Sequence, residues 1–136
     1  MKKDILSQKV EDTIIAIVPR GDHQEGEEEL WDTYLINLKK QPITSVLVSS
    51  KGYGKLDGEK MKTTTLRHFF EEIAPEVAIK VEPIQARLFD ITNEYWVSFS
   101  HNNFMFDKKY IFVKGSITEK HFTMIPIVGR KGVMIK

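Results

Sequence analysis

The sequence contains no cysteine. That single absence excludes disulfides, thiolate metal sites and a cysteine nucleophile together, and it fits a reducing compartment. There is little excess charge: 20 basic and 19 acidic side chains leave a formal net charge of +1. Nothing in the total points to a polyanion binder or an acidic tail. Long apolar runs are missing too, since Ile14 to Val18 is strand length and far short of the roughly 20 residues of a membrane-spanning helix. The start, Met1-Lys2-Lys3-Asp4-Ile5-Leu6-Ser7-Gln8-Lys9, opens like a signal peptide but has charges where the apolar run should be. No export is expected, and the chain reads as soluble and cytoplasmic, with no membrane partner.

The dedicated motifs of common chemistries are also lacking. Gly52-Tyr53-Gly54-Lys55-Leu56-Asp57-Gly58-Glu59-Lys60 has neither P-loop nor dinucleotide spacing, and no helix follows it to receive an anion, so it reads as a connecting loop. His23, His68, His101 and His121 are scattered without a ligand pair. Glu25, Glu27, Glu28 and Glu29 lack the alternating ligands of a calcium loop and read as surface charge. Ser45, Ser49 and Ser50 sit in no nucleophile elbow and have no Ser-x-x-Lys pair. No metal and no cofactor are expected.

What is present is β pattern. At 136 residues the chain has the size of one domain with one core. Thr13-Ile14-Ile15-Ala16-Ile17-Val18 is apolar at every position but the first, predicting a strand covered on both faces and ended by Pro19. Residues 31–54 predict two strands joined as a hairpin through Lys39-Lys40-Gln41-Pro42. Residues 55–62 are polar and glycine-bearing. Val77, Ile79 and Val81 alternate with Ala78, Lys80 and Glu82, which places Glu82 on the face opposite Val81. Pro83 interrupts that strand and Ala86 to Ile91 resumes as another. Tyr95 to Ser100 and Phe104 to Val113 flank the turn residues His101-Asn102-Asn103, a further hairpin. Apolar residues on both faces of Phe104 to Val113 suggest that one face covers a partner, either another protein or a second copy.

One segment carries two patterns. Leu66, Phe69, Phe70 and Ile73 fall at helical spacing, whereas Thr63-Thr64-Thr65 and the following arch Ile73-Ala74-Pro75-Glu76 favour extended structure. The expected fold is mainly β, an antiparallel immunoglobulin-like sandwich of about seven or eight strands. The alternative is α+β with one short helix near residues 65–73.

The runs Tyr34-Leu35-Ile36-Asn37, Val46 to Gly54, Lys62 to Phe69 and Thr92-Asn93-Glu94-Tyr95 resemble a small uncharacterised family of bacterial proteins, some labelled as phenylalanyl-tRNA synthetase subunit. The similarity covers most of the chain. It implies a fold and a small intracellular protein, and it brings no catalytic residues. A class II synthetase needs a large catalytic sheet with an arginine-centred ATP site, for which a chain of 136 residues has no room.

Function is therefore read from side-chain distribution. Residues 41–68 hold five basic and two acidic side chains, and residues 100–136 hold seven and two, so both stretches are positive. The favoured reading is a non-catalytic binding or interaction module of unknown ligand, in which the turn lysines serve to keep strand edges apart. Its candidate site residues are Lys51, Tyr53, Lys55, Lys62, Arg67, His68, Arg130 and Lys131. An alternative uses the basic ones among these, with Lys60, as a nucleic-acid or phosphate-anion site on which Tyr53 stacks against a base. A second alternative is an enzyme in which His68 works with Glu71 or Glu72, as a helix would allow. Against it stands the reading of His68, beside two phenylalanines, as a half-buried packing residue.

Overall fold

In the computed structural model, which describes residues 9–136, the chain forms ten strands and two short 3-10 turns. The reading of the first eight residues as no export signal lies outside the described residues. The strands are β1 (Thr13–Pro19), β2 (Leu30–Asn37), β3 (Ile43–Leu56), β4 (Glu59–Lys62), β5 (Leu66–Ile73), β6 (Val77–Gln85), β7 (Thr92–His101), β8 (Phe104–Phe112), β9 (Thr123–Met124) and β10 (Lys131–Ile135). One sheet has the order β6-β2-β1-β10-β9. The other has the order β4-β3-β7-β8, with β5 also paired to β3. All pairings are antiparallel, and the fold is the expected sandwich. Among the described residues no helix is long and apolar enough to cross a membrane.

The space between the sheets is filled by Ile15, Ile17 and Leu35 from one side and Val46, Val48, Val97, Phe99 and Tyr110 from the other. A second cluster, Ile14, Ala16, Val18 and Ile36 capped by Ile125, lies on the opposite face of β1 and β2. It explains why β1 is apolar at consecutive positions: the segment between β9 and β10 folds over its outer face. Gly132 makes that approach close, because a Cβ there would stand 2.5 Å from the Ile17 carbonyl oxygen and 3.0 Å from Val18 Cγ2. Backbone cannot give way as a side-chain tip can, so Gly132→Ala is expected to destabilise the fold by about 2 kcal/mol in urea titrations.

The ambiguous segment is a strand, β5, paired with β3 from Ile43↔Ile73 to Ser50↔Leu66. The hairpin of Tyr95 to Val113 forms as read, with Asn102 and Asn103 both at positive φ in its turn. Other expectations are corrected. Residues 31–54 are not a hairpin: β2 is paired on both edges by β1 and β6, while β3 pairs β4, β5 and β7, so the chain crosses from one sheet to the other over residues 38–42. Buried Asn37 fixes this crossing, its Nδ2 donating to the carbonyls of Gln41, Ile73 and Ala74 at 3.0 to 3.2 Å. Its Oδ1 accepts the Lys39 amide at 3.0 Å. One amide thereby also holds the β5–β6 arch. Residues 52–60 are not a connecting loop, since β3 runs through to Leu56 and turns at Asp57-Gly58, both at positive φ, into β4. Pro83 does not break β6; as an edge strand β6 tolerates the missing amide. Ala86–Asp90 is a 3-10 turn instead of a strand, its Phe89 packed edge-on against Trp31 at 4.9 Å.

Candidate binding cleft between the sheets

β3 is too long for any single neighbour on its outer edge. β5 covers it from Ile43 to Ser50 and β4 from Tyr53 to Leu56. The exchange is pinned at Gly52, whose amide donates to Thr63 Oγ1 at 2.7 Å and whose carbonyl accepts the Thr63 amide at 2.9 Å. Here the edge of one sheet parts from β6, the edge of the other, and a cleft of about 460 Å³ opens between them. Ser50, Tyr95 and Glu82 stand at its base, Thr63 and Thr64 on one wall, and Gln85 and Arg87 on the other.

Glu82 reaches the base because alternation fails in β6. Thr33 pairs Glu82 and Tyr34 pairs Lys80, so Val81 is an extra residue in a β-bulge. A bulge turns two successive side chains to one face. Val81 joins the core and Glu82 follows it inward, correcting the expectation that Glu82 points away. A buried carboxylate must be hydrogen-bonded, and this one bridges the sheets. Ser50 Oγ donates at 2.9 Å to each of its oxygens, and His68 Nε2 lies 2.7 Å from Oε1. Opposite an acceptor, that nitrogen carries the hydrogen. Beneath them the Tyr95 hydroxyl lies 2.9 Å from Thr33 Oγ1. Burial raises the Tyr95 phenol pKa well above the usual range and the Glu82 charge raises it further.

Serine, glutamate and histidine are thus together but in the wrong order for nucleophilic catalysis. Ser50 donates to the carboxylate and not to the imidazole, so no base of suitable strength faces its hydroxyl. The pairing of His68 with Glu71 or Glu72 required a helix: in a strand Glu71 faces away and Glu72 lies four residues, about 13 Å, further along, and His68 is bonded to Glu82 instead. His68 is half-buried, as its packing reading holds.

The other candidate residues separate into groups. Lys51 lies at the cleft rim, its ammonium 3.9 Å from Glu94 and 5.9 Å above the Tyr53 ring, while the Tyr53 hydroxyl donates to Glu94 at 3.2 Å. Burial and that bond raise the Tyr53 phenol pKa. Lys62 borders the cleft and also, with Tyr53 and Lys55, a groove of about 400 Å³ along the β3–β4 ribbon. Arg67 lies beside Ser49 and Trp96 on the outer face. Arg130 and Lys131 are not brought to this place. They belong to β10 and the turn before it, with β1 and β2 between them and β6, and Arg130 donates to the carbonyls of Pro19 and Arg20. Glu82 and Arg87 were absent from the sequence-derived set. No pattern announces a bulge at Val81, and Arg87, expected in a strand, is carried to the cleft by a 3-10 turn. No protein-family model matches the chain, and comparison with curated proteins finds no match.

Proposed function

We propose that the protein is a non-catalytic binding module and that its ligand occupies the cleft between the sheets, held there by an anionic group. The observation that supports this reading is the charge arrangement. The one carboxylate at the base, Glu82, is already satisfied by Ser50 and His68, whereas Lys62 and Arg87 at the mouth have no ion-pair partner among the described residues. Thr63, Thr64 and Gln85 add neutral hydrogen-bonding groups, and the volume is that of a small-molecule site. The resemblance to a bacterial family belongs to this reading and assigns no residue a role.

Calorimetric titration with inorganic phosphate, pyrophosphate and a mononucleotide tests it. At least one should bind with a single site, and Arg87→Gln or Lys62→Gln should weaken that binding about tenfold, the worth of one charge-assisted hydrogen bond. Failure of all three to bind, or binding indifferent to both substitutions, overturns it.

Nucleic acid is the second reading, favoured by the lysines Lys55, Lys60 and Lys62 around Tyr53 on the β3–β4 ribbon. It requires affinity for a single-stranded oligonucleotide that falls steeply with salt and drops on Lys62→Glu or Arg67→Glu. Absence of such binding removes it.

A further inference from the structure

The outer face of the β5-β3-β7-β8 sheet carries large apolar side chains among its polar and charged ones. Leu47, Phe69, Trp96, Met105 and Ile111 are all exposed on it, Phe69 to 64 % and Met105 to 68 %. Several large apolar side chains exposed on one sheet face mark an interaction face. What it fits can be read from the register. Val48 pairs His68 on one side and Val97 on the other, and Val97 pairs Lys108, so these four residues form one row across the sheet.

About that row the outward residues are complementary by rotation. On β7, Trp96 lies on one side and Ser98 on the other; on β3, Ser49 and Leu47; on β5, Arg67 and Phe69; on β8, Lys109 and Asp107, then Ile111 and Met105. Trp96 and Leu47 have a serine at the mirror position, Asp107 has the oppositely charged Lys109, Met105 has the apolar Ile111, and Phe69 has Arg67, whose guanidinium can stack on its ring. A shallow hollow of about 260 Å³ bounded by Leu47, Ser49, Trp96 and Ser98 supplies the space.

We propose that this face is an isologous interface with a second copy of the chain, the two-fold axis running across the strands above the row of Val48 and Val97. Rotation about that axis sets Trp96 over the partner's Ser98, Leu47 over the partner's Ser49 and Phe69 under the partner's Arg67. It sets Asp107 against the partner's Lys109 and Met105 against the partner's Ile111. A two-fold contact must be self-complementary, and this pattern is. Two sheets stacked with their strands nearly aligned are the packing already used inside the sandwich. Asp107, Lys109 and Arg67 have no ion-pair partner among the described residues, so the charges on the face are free to meet those of the partner. The Lys109 ammonium lies 4.8 Å above the Trp96 ring, where an approaching carboxylate reaches it. This interface is on the opposite side of β3 from the cleft and is independent of its ligand.

Sedimentation velocity over a concentration series tests the proposal. The wild-type chain should dimerise, and Trp96→Ser, which removes an exposed side chain, should weaken the dimer without lowering the unfolding midpoint measured at concentrations where both proteins are monomeric. Asp107→Lys and Lys109→Asp should each raise the dissociation constant about tenfold by opposing like charges twice across the axis. The double variant should return it to near the wild-type value. A wild-type chain that stays monomeric into the hundreds-of-micromolar range overturns the proposal, as does a dimer whose affinity ignores these substitutions or whose charge variants do not rescue one another.

Discussion

Asn37→Asp is expected to destabilise the protein by about 4 kcal/mol, although it changes one atom. The amide Nδ2 donates to the carbonyls of Gln41, Ile73 and Ala74 at the place where the chain twice passes between the sheets. A carboxylate keeps the Lys39 amide as a partner but turns an acceptor toward those three acceptors in a buried site. Leaving a buried polar group unpaired costs about 1–3 kcal/mol, and placing an ionised group there adds to it. Asn37→Leu removes the repulsion but also the three hydrogen bonds to these carbonyls, so it should fall between wild type and Asn37→Asp. Urea unfolding of the three proteins checks the order. Equal stability of wild type and Asn37→Asp would show that the crossings are held by other means.

A comparably large effect is expected from alkaline pH, and its sign follows from two buried phenols. Burial raises the pKa of both Tyr95 and Tyr110, and the Tyr110 hydroxyl donates to the Thr13 carbonyl at 2.8 Å. An acid whose pKa is higher folded than unfolded holds its proton in the native state after the unfolded chain has released it. The stability is therefore intact below the unfolded value of about 10 and is lost as pH climbs through and beyond it. Each tyrosine contributes a slope of about 1.4 kcal/mol per pH unit, so stability should fall by about 5 kcal/mol between pH 10 and 12. Tyr110→Phe should halve that slope whatever it does to stability at neutral pH. A slope unchanged by the substitution would mean that the phenol titrates as freely folded as unfolded.

The sequence made the sheets legible and the connections between them much less so. β1 shows plainly as an apolar run and β7 and β8 as aromatic and β-branched residues spaced by polar ones, and the Asn102-Asn103 turn between the last two favours the positive φ it adopts. β5 could be read as extended only by weighing three threonines and an arch against a helical stripe; pairing with β3 decided it. Residues 31–54 misled because two good strands with a short polar link look alike whether they pair with one another or pass to opposite sheets. The difference lies in Asn37, whose three acceptors are distant in sequence or set by the turn itself. Asp57-Gly58 is a hairpin signal masked by the charged residues on both strands beside it.

The candidate site was half visible. Of the residues singled out from the sequence, Lys51 and Lys62 line the cleft, His68 bonds to the carboxylate at its base, and Tyr53 lies on the adjoining ribbon. Arg130 and Lys131 were joined to it by charge alone, and charge says nothing of which sheet carries a residue. Glu82 could not be found by alternation, because the bulge that turns it inward breaks the alternation itself. Its partners Ser50 and His68 come from strands that only the folded sandwich brings opposite β6.

The inward turn of Glu82 underlies both the tie between the sheets and the charge balance of the cleft. A double-mutant cycle of Glu82→Gln and His68→Ala, read by urea unfolding, measures it most directly. With the side chains 2.7 Å apart in a half-buried setting, the coupling energy should exceed about 1 kcal/mol. Had β6 kept its alternation, Glu82 would face away from His68, and a coupling energy of zero within error would contradict the account.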